Sequence, residues 1–402
     1  MVAAGDIVSA AADAILVIAL AFVMVPVSLL LLQVVCAVLP RRPAVMPSVD
    51  RPRLAVIVPA HNESGIIRKA LESVRPQLGQ GDRLVVVADN CTDDTARIAA
   101  DFGAEVIERY DESRRGKGYA LDAGVRYLDR EPPGLVIIVD ADCEVAPEAI
   151  ERIARVSAST ARPVQALYLM TAPASSGAMA AIAEFAWIVK NLVRPLGFLR
   201  LGLPCQLMGT GMAFPWAVIR AAPLASGHLV EDLRLGLDLA RLGRPALFCP
   251  EAVVRSRFPA GAENTRSQRV RWEHGHLGTI LSEAPRLLWA GLRGNGSGSL
   301  ALGLDLAVPP LALLALSIVG LFALCAIHAL VTSSIGPVVA AGAIALLFAA
   351  AIGVAWLRFG REILSFSGLL FAFAYACRKI PLYVRFVVGR QVEWVRSKRD
   401  EP

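Results

Sequence analysis

Apolar positions along this chain follow two different rhythms. Residues 14–39 form an apolar run without a charge, and two further apolar runs lie at 306–331 and 338–357. A helix needs about 20 residues to cross roughly 30 Å of hydrocarbon, so each run predicts a membrane-spanning helix. Pro26 inside the first is tolerated in lipid. The stretch between the second and third, 332–337, is uncharged and predicts a short external turn. A further run, 363–377, is short for a span.

In the middle of the chain the rhythm changes. Short apolar, β-branched blocks at 54–59, 84–88 and 135–139 read as buried strands, a further short strand fits 105–109, and helical patterns fill 64–77, 92–102 and 118–128. Strands buried on both faces and separated by helices predict an α/β fold, a parallel-rich sheet with flanking helices. The predicted organisation is an N-terminal transmembrane anchor at 1–49 and a soluble domain at 50–292. A membrane region follows at 293–377, with two spans plus a re-entrant or interfacial segment. A basic amphipathic tail occupies 378–402. The Gly- and Ser-rich stretch 293–299 reads as the linker into the membrane region.

Composition and charge set the orientation. Of 402 residues, 55% are hydrophobic and 19% charged, against about 25% charged in soluble domains. A disordered chain and a wholly soluble enzyme are both disfavoured. The formal net charge of +6 is modest, and no basic stripe interleaved with aromatics appears, so nucleic acid is not a predicted partner. Arg41, Arg42, Arg51 and Arg53 follow the first run, while Asp6 and Asp13 precede it; Arg358 and Arg361 follow the third. Cations favour the cytoplasmic side. The domain is therefore predicted to be cytoplasmic at the inner (plasma) membrane. The basic tail is predicted on the same side, which argues against a full span at 363–377. Residues 379–386 mix cations and aromatics, as a helix in the headgroup layer does. No basic residue precedes the first run, which predicts a retained anchor rather than a signal peptide. The 7 Cys include no CxxC pair, which argues against a zinc site or disulfide framework.

The candidate chemistry sits at strand ends, where ligands bind in open α/β sheets. Asp140-Ala141-Asp142 ends the fourth predicted strand. Two carboxylates at i and i+2 project together and suit a hard divalent cation that also binds a diphosphate. The first strand ends in Pro59-Ala60-His61-Asn62-Glu63, the second in Asp89-Asn90. Thr92 and Asp93 are expected to cap the following helix; Asp89 lies too early for that and is the better ligand candidate. Arg114-Arg115-Gly116-Lys117-Gly118 precedes a helix and can meet phosphate there. His61, His274 and His276 are read as structural, with no metal assigned to them.

These motifs together carry a resemblance. PAHNE, ADNCTDDTA, GKGYALDAG and VDADC resemble the nucleotide-binding half of family 2 glycosyltransferases of the GT-A fold. Val230-Glu231-Asp232 resembles their ED motif, and Met208-Gly209-Thr210-Gly211 their acceptor-side segment. Gln268-Arg269-Val270-Arg271-Trp272 is similar to the QxxRW motif of the membrane-embedded cellulose, chitin and hyaluronan synthases. The resemblance spans roughly residues 54–275. It implies that Asp89, with Ala60 and Glu63 nearby, contacts the uracil of a UDP-sugar. It places Lys117 and Gly118 against the nucleotide. Asp140 and Asp142 would hold the ribose and a Mg2+ or Mn2+ ion, with Asp142 as the metal ligand. Asp232 would be the general base, and Gln268, Arg271 and Trp272 would line the acceptor and diphosphate side. The implied activity is an inverting transfer of glucose or N-acetylglucosamine to a growing polysaccharide or oligosaccharide with a β-linkage. The partners would be the UDP-sugar donor, a carbohydrate or lipid-linked acceptor, and membrane lipids. Two alternatives stand beside it: transfer of a single sugar to a ceramide-like or polyprenyl lipid, and a non-enzymatic membrane scaffold.

Overall fold

The apolar blocks read as strands lie side by side in an eight-stranded sheet. The computed structural model describes residues 2–40, 45–173, 177–258, 262–294 and 297–389, and the side chains of all these except 2–8, 262–269 and 297. In chain order the strands are β1 (Leu54–Ala60), β2 (Arg83–Asp89), β3 (Glu105–Arg109), β4 (Leu135–Ile138), β5 (Glu144–Val145), β6 (Val164–Thr171), β7 (Met212–Pro215) and β8 (Leu247–Arg257). Their spatial order is β3-β2-β1-β4-β7-β6-β8-β5. The first four are mutually parallel. β7 enters antiparallel between β4 and β6, and β5 runs antiparallel along β8. The four predicted strands are therefore one half of a mixed, mostly parallel sheet, as in GT-A folds.

The helices of the domain are α2 (Ile67–Val74), α3 (Thr95–Asp101), α4 (Lys117–Leu128), α5 (Ala149–Thr160), α6 (Ala178–Ile188), α7 (Arg194–Arg200), α8 (Trp216–Arg220), α9 (Glu231–Arg241) and α10 (Ala262–Leu292). Before them comes α1 (Val2–Val38). After them come α11 (Ser297–Ala307), α12 (Leu311–Thr332), α13 (Gly336–Ala355), α14 (Phe366–Leu370), α15 (Ala372–Cys377) and α16 (Ile380–Val388). Alternation along β1 builds the two sides of the sheet. Leu54, Val56 and Val58 pack with Ile67, Leu71 and Ile150 of α2 and α5. Ala55 and Ile57 pack with Leu121, Val125 and Leu239 of α4 and α9.

Among the described residues, three helices are long and apolar enough to cross a membrane: Ser9–Val38 within α1, Leu311–Thr332, and Gly336–Gly360. These correspond to the three predicted spans. The run at 363–377 forms the short α14 and α15, with Tyr375 and Ala376 buried, too short to span.

Two predicted boundaries move. The second span begins at Leu311, because α11 turns back along α10 and packs Leu302 and Leu306 against Leu233, Leu237 and Leu287. The last part of the predicted linker, 297–299, is thus the start of α11, while residues 295–296 lie outside the described set. The tail is described only to residue 389. Its helix α16 lies on α10: His274 Nε2 is 3.1 Å from the Leu382 carbonyl, and Lys379 pairs with Glu273. The opposite side of α16 exposes Ile380, Val384, Val387 and Val388.

The anchor is not a separate unit either. Gln33 of α1 is fully buried and donates from Nε2 to Asp305 Oδ1 of α11 at 2.7 Å. Arg194 of α7 donates to the same oxygen at 2.8 Å. Gln206 donates to Asp305 Oδ2 at 2.6 Å. At this crossing the two backbones nearly touch: a methyl on Gly197 would lie 2.1 Å from the Gln33 carbonyl oxygen, so only glycine fits.

Candidate active site

One cleft collects most of the predicted residues. It opens at the carboxyl ends of β1, β2 and β4, where strand order reverses around β1, the ordinary ligand position of such sheets. Ala60, Glu63, Asp89, Lys117, Asp140, Asp142, Asp232, Arg271 and Trp272 all line it. Gly118 does not. It sits one residue behind, where an added methyl would come within 2.5 Å of the Ser226 carbonyl oxygen. Its role is close packing of α4 against that loop. Gln268 lies on α10, but its side chain is outside the described set.

The loop after β1 is tied to the loop after β2. His61 Nδ1 lies 2.6 Å from the Asp89 carbonyl, and the Glu63 amide donates to Thr95 Oγ1 at 2.8 Å. Asp93 accepts from the Thr95 amide at 3.0 Å and from the Ser64 amide at 3.1 Å; the N-cap position itself is Asp94, which makes no side-chain cap bond. Thr92 instead bonds Asn62. Asp89 is nearly buried and accepts from Arg109 Nη1 at 2.5 Å. Its carboxylate is thus held at the cleft floor by a cation from β3.

At the centre, opposite charges converge on Gly209. This residue has φ +96°, and a methyl there would lie 3.3 Å from Asp232 Oδ2, 3.8 Å from Lys117 Nζ and 3.9 Å from Asp140 Oδ2. Lys117 donates to the Gly209 carbonyl at 2.7 Å and pairs with Asp140. Burial pulls the Lys117 ammonium down, but Asp140, Glu231 and Asp232 together hold it above its ordinary value. Burial and the nearby Asp142 push the Asp140 carboxyl up, against Lys117. Burial, with Asp232 beside it, pushes Glu231 up to about 7. Glu231 and Asp232 open α9, where acids also meet the positive end of the helix.

Asp140, Asp142 and Cys143 offer ligand atoms within 4.8 Å of one another. The Cys143 thiol is fully buried and, chiefly through burial, held well above its ordinary pKa, so it offers no thiolate. What remains is a carboxylate pair, a hard donor set that fits Mg2+ or Mn2+.

The far wall comes from α6, the turn that follows it, α10 and the loop at 206–209. Trp272 stacks at 40° on Trp187, centroids 5.3 Å apart. Trp187 in turn meets Tyr168 and Phe258 edge-on. Lys190, Asn191, Gln206 and His276 complete the wall. Lys190 and Asn191 sit on a π-helical turn, Val189–Val193, between α6 and α7; such turns recur at functional sites. His276 is buried and held well below its ordinary pKa by burial and by Lys190 and Arg194, so it stays neutral. None of Trp187, Lys190, Asn191 or Gln206 belongs to a motif. The one signal in the sequence is that Lys190 and Arg194 interrupt an otherwise apolar stretch.

Comparison with known proteins settles the family. Residues 52–275 match the family model described as glycosyltransferase like family 2. The chain belongs to glycosyltransferase family 2. The chain is 26% identical over 259 residues to the probable glycosyltransferase YdaM of Bacillus subtilis, covering 58% of the chain and 57% of that relative. It is 40% identical over 99 residues to the low-salt glycan biosynthesis hexosyltransferase Agl6 of Haloferax volcanii, covering 23% and 21% respectively. The chain therefore spans only part of the length of the curated relatives it matches. Among solved structures, the mannosyltransferase PcManGT of Pyrobaculum calidifontis, in complex with GDP-Man and Mn2+, superposes with a TM-score of 0.60 at 16% identity. That match covers 94% of this chain and 100% of the other, so the shared fold includes the terminal helices.

Proposed function

We propose that this glycosyltransferase is inverting and moves a sugar, glucose or N-acetylglucosamine, from a UDP-sugar to a carbohydrate or lipid-linked acceptor at the membrane. The observation that carries the reading is the convergence of Asp140, Lys117 and Asp232 on Gly209, at the mouth of the strand ends. Asp89 with Ala60 and Glu63 is assigned to the base, and Lys117 and Asp140 to the ribose and phosphates. Asp140 and Asp142 would hold Mg2+ or Mn2+, which supplies charge neutralisation for a diphosphate leaving group. PcManGT, complexed with Mn2+, supports that assignment.

An acceptor hydroxyl is a weak nucleophile, and Asp232 is assigned to take its proton. The new bond forms at the anomeric carbon as the bond to UDP breaks, and the electron pair leaves with UDP. Arg271 meets the charge that develops there. One displacement with one base inverts the centre, so an α-linked donor gives a β-glycoside. Trp272 and Trp187 present ring faces to a sugar. The positive flanks at 41–53 and 358–361 support a cytoplasmic domain on the inner membrane.

The QxxRW-type segment favours a growing polysaccharide or oligosaccharide as acceptor. The second reading is transfer of one sugar to a lipid. It is favoured by there being three candidate spans among the described residues, a small set for enclosing a polymer channel. Purified full-length protein, given Mn2+ or Mg2+ and a panel of UDP-sugars plus GDP-mannose, should release UDP, and chelation should stop it. Release of GDP alone would replace the donor assignment, and no release from any donor would end the enzymatic one. Long products would remove the single-transfer reading.

A further inference from the structure

The cations around the cleft are not all answered by carboxylates. Lys117 is paired with Asp140, Arg194 with Asp305, Arg115 with Glu112 and Lys379 with Glu273. Lys190 is different. Its side chain projects into the cleft, and among the described residues it forms no ion pair; its one close partner is the Trp187 ring, 5.5 Å from Nζ to centroid. The charges that act on it most are Asp232, Arg194, Asp305 and Glu273, and the surrounding protein together with Arg194 lowers its pKa. These neighbours belong to the wall of α7, α9, α10 and α11, not to the strand-end side that holds Asp89 and Asp142.

The element that carries Lys190 faces two ways. Ile182, Phe185, Ile188, Val189 and Val193 join one apolar cluster with Leu30 of α1, Leu314 of α12 and Ile344 of α13. The other face shows Trp187, Lys190 and Asn191 to the cleft. Lys190 is therefore the ammonium at the end of the cleft nearest the membrane helices. Its side chain is exposed within the open cleft, free to meet a ligand, and an ammonium meets phosphate as a point charge.

We propose that Lys190 is an anion anchor for the acceptor, and that the acceptor is a lipid carrying a phosphate or diphosphate. The anchor fixes the head of the lipid beside Trp187, with the reacting end towards Asp232. It is a binding role and leaves proton transfer to Asp232. This inference rests on the glycosyltransferase reading above for the word acceptor, and its test needs no turnover.

The test uses the full chain in neutral detergent with Mn2+, and farnesyl phosphate and farnesol as a matched pair. Thermal unfolding reads their binding, and UDP binding is measured on the same preparation. Farnesyl phosphate should bind at least about tenfold tighter than farnesol, the range for a hydrogen bond to a charged group. Lys190→Gln should remove that difference, Lys190→Arg should keep most of it, and both should bind UDP as the wild type does. Equal binding of farnesol overturns the proposal on the unaltered chain. Inorganic phosphate that binds as well as farnesyl phosphate assigns the anchor to a free anion and overturns the lipid. Loss of UDP affinity in Lys190→Gln, with Lys190→Arg restoring it, moves Lys190 to the donor diphosphate and overturns the acceptor role. If the wild type fails to bind UDP, the donor reading fails; if UDP binds and the farnesyl pair is not told apart, only the anchor fails.

Discussion

The two halves of the cleft are built by different means. The strand-end half takes Ala60, Glu63, Asp89, Asp140 and Asp142 from the ends of three adjacent parallel strands. Each comes from a short segment, and local backbone geometry sets its direction. The helical half takes Trp187, Lys190, Gln206, Asp232, Arg271 and Trp272 from segments spread over residues 187–272. Those segments are held by α1, α11 and α16, elements outside the sheet and far away in sequence. The lesson is that one half can be altered at single residues, while the other depends on long-range packing.

The largest expected effect tests whether the two halves divide the labour. Asp232→Asn should lower transfer by about 10²–10⁴-fold, the usual worth of a positioned base, with UDP affinity unchanged. Loss of UDP binding in parallel would place Asp232 with the donor and erase the division. The second effect is structural. Asp305 answers Gln33, Arg194 and Gln206 at once, nearly buried. Asp305→Ala should destabilise the full chain by about 3–5 kcal/mol, as removal of one partner from a buried pair does. Thermal unfolding in detergent reads it. An unchanged midpoint would mean that the helical half does not lean on α1.

The same contrast explains what was legible in the sequence. Three of the four parallel strands, β1, β2 and β4, are short apolar blocks, and Asp89 and Asp140 stand at or just beyond the ends of β2 and β4. Pattern and motif therefore pointed to one place. β6 and β8 escaped notice because neither is a clean apolar block: Tyr168 and Gln165 interrupt one, and Pro250 and Glu251 the other. Asp232, Arg271 and Trp272 were found only through resemblance, since an acid pair at a helix start and a Trp near an Arg have ordinary structural roles. Lys190, Asn191 and Gln206 had no local signal beyond their polarity, because what makes them site residues is the fold of α6 and α7 onto the membrane helices. Gly118 has a packing reason of its own, since an added methyl would meet the Ser226 and Leu224 carbonyl oxygens.

A third, smaller effect probes how α16 serves the helical half. Glu273 follows Arg271 and Trp272 and pairs with Lys379, and both side chains are largely buried. Glu273→Lys and Lys379→Glu should each reduce transfer, and the double exchange should regain part of it. A coupling of about 0.5–3 kcal/mol in the double-mutant cycle is the range for residues in contact. UDP affinity should hold throughout. Additive losses would reduce the α16 contact to passive packing.

The smallest effect lies at the seam, where Glu231 feels both halves. Burial, then Asp232, raises its carboxyl to about 7 from the ordinary 4.5, against Lys117. The folded chain thus prefers this carboxyl protonated. The stability gained is fully present below pH 4.5 and is lost as pH rises through about 7. Glu231→Gln is neutral at every pH and should lack this part of the slope. The wild-type midpoint, measured between pH 5 and 8 without nucleotide, should fall relative to the variant by about 2–4 °C for each kcal/mol involved. A parallel decline in both would show that water reaches Glu231 freely. The crowding of Asp140, Asp232 and Glu231 around Lys117 would then be an arrangement of solvated charges, and the two halves would meet across water rather than across a shared electrostatic centre.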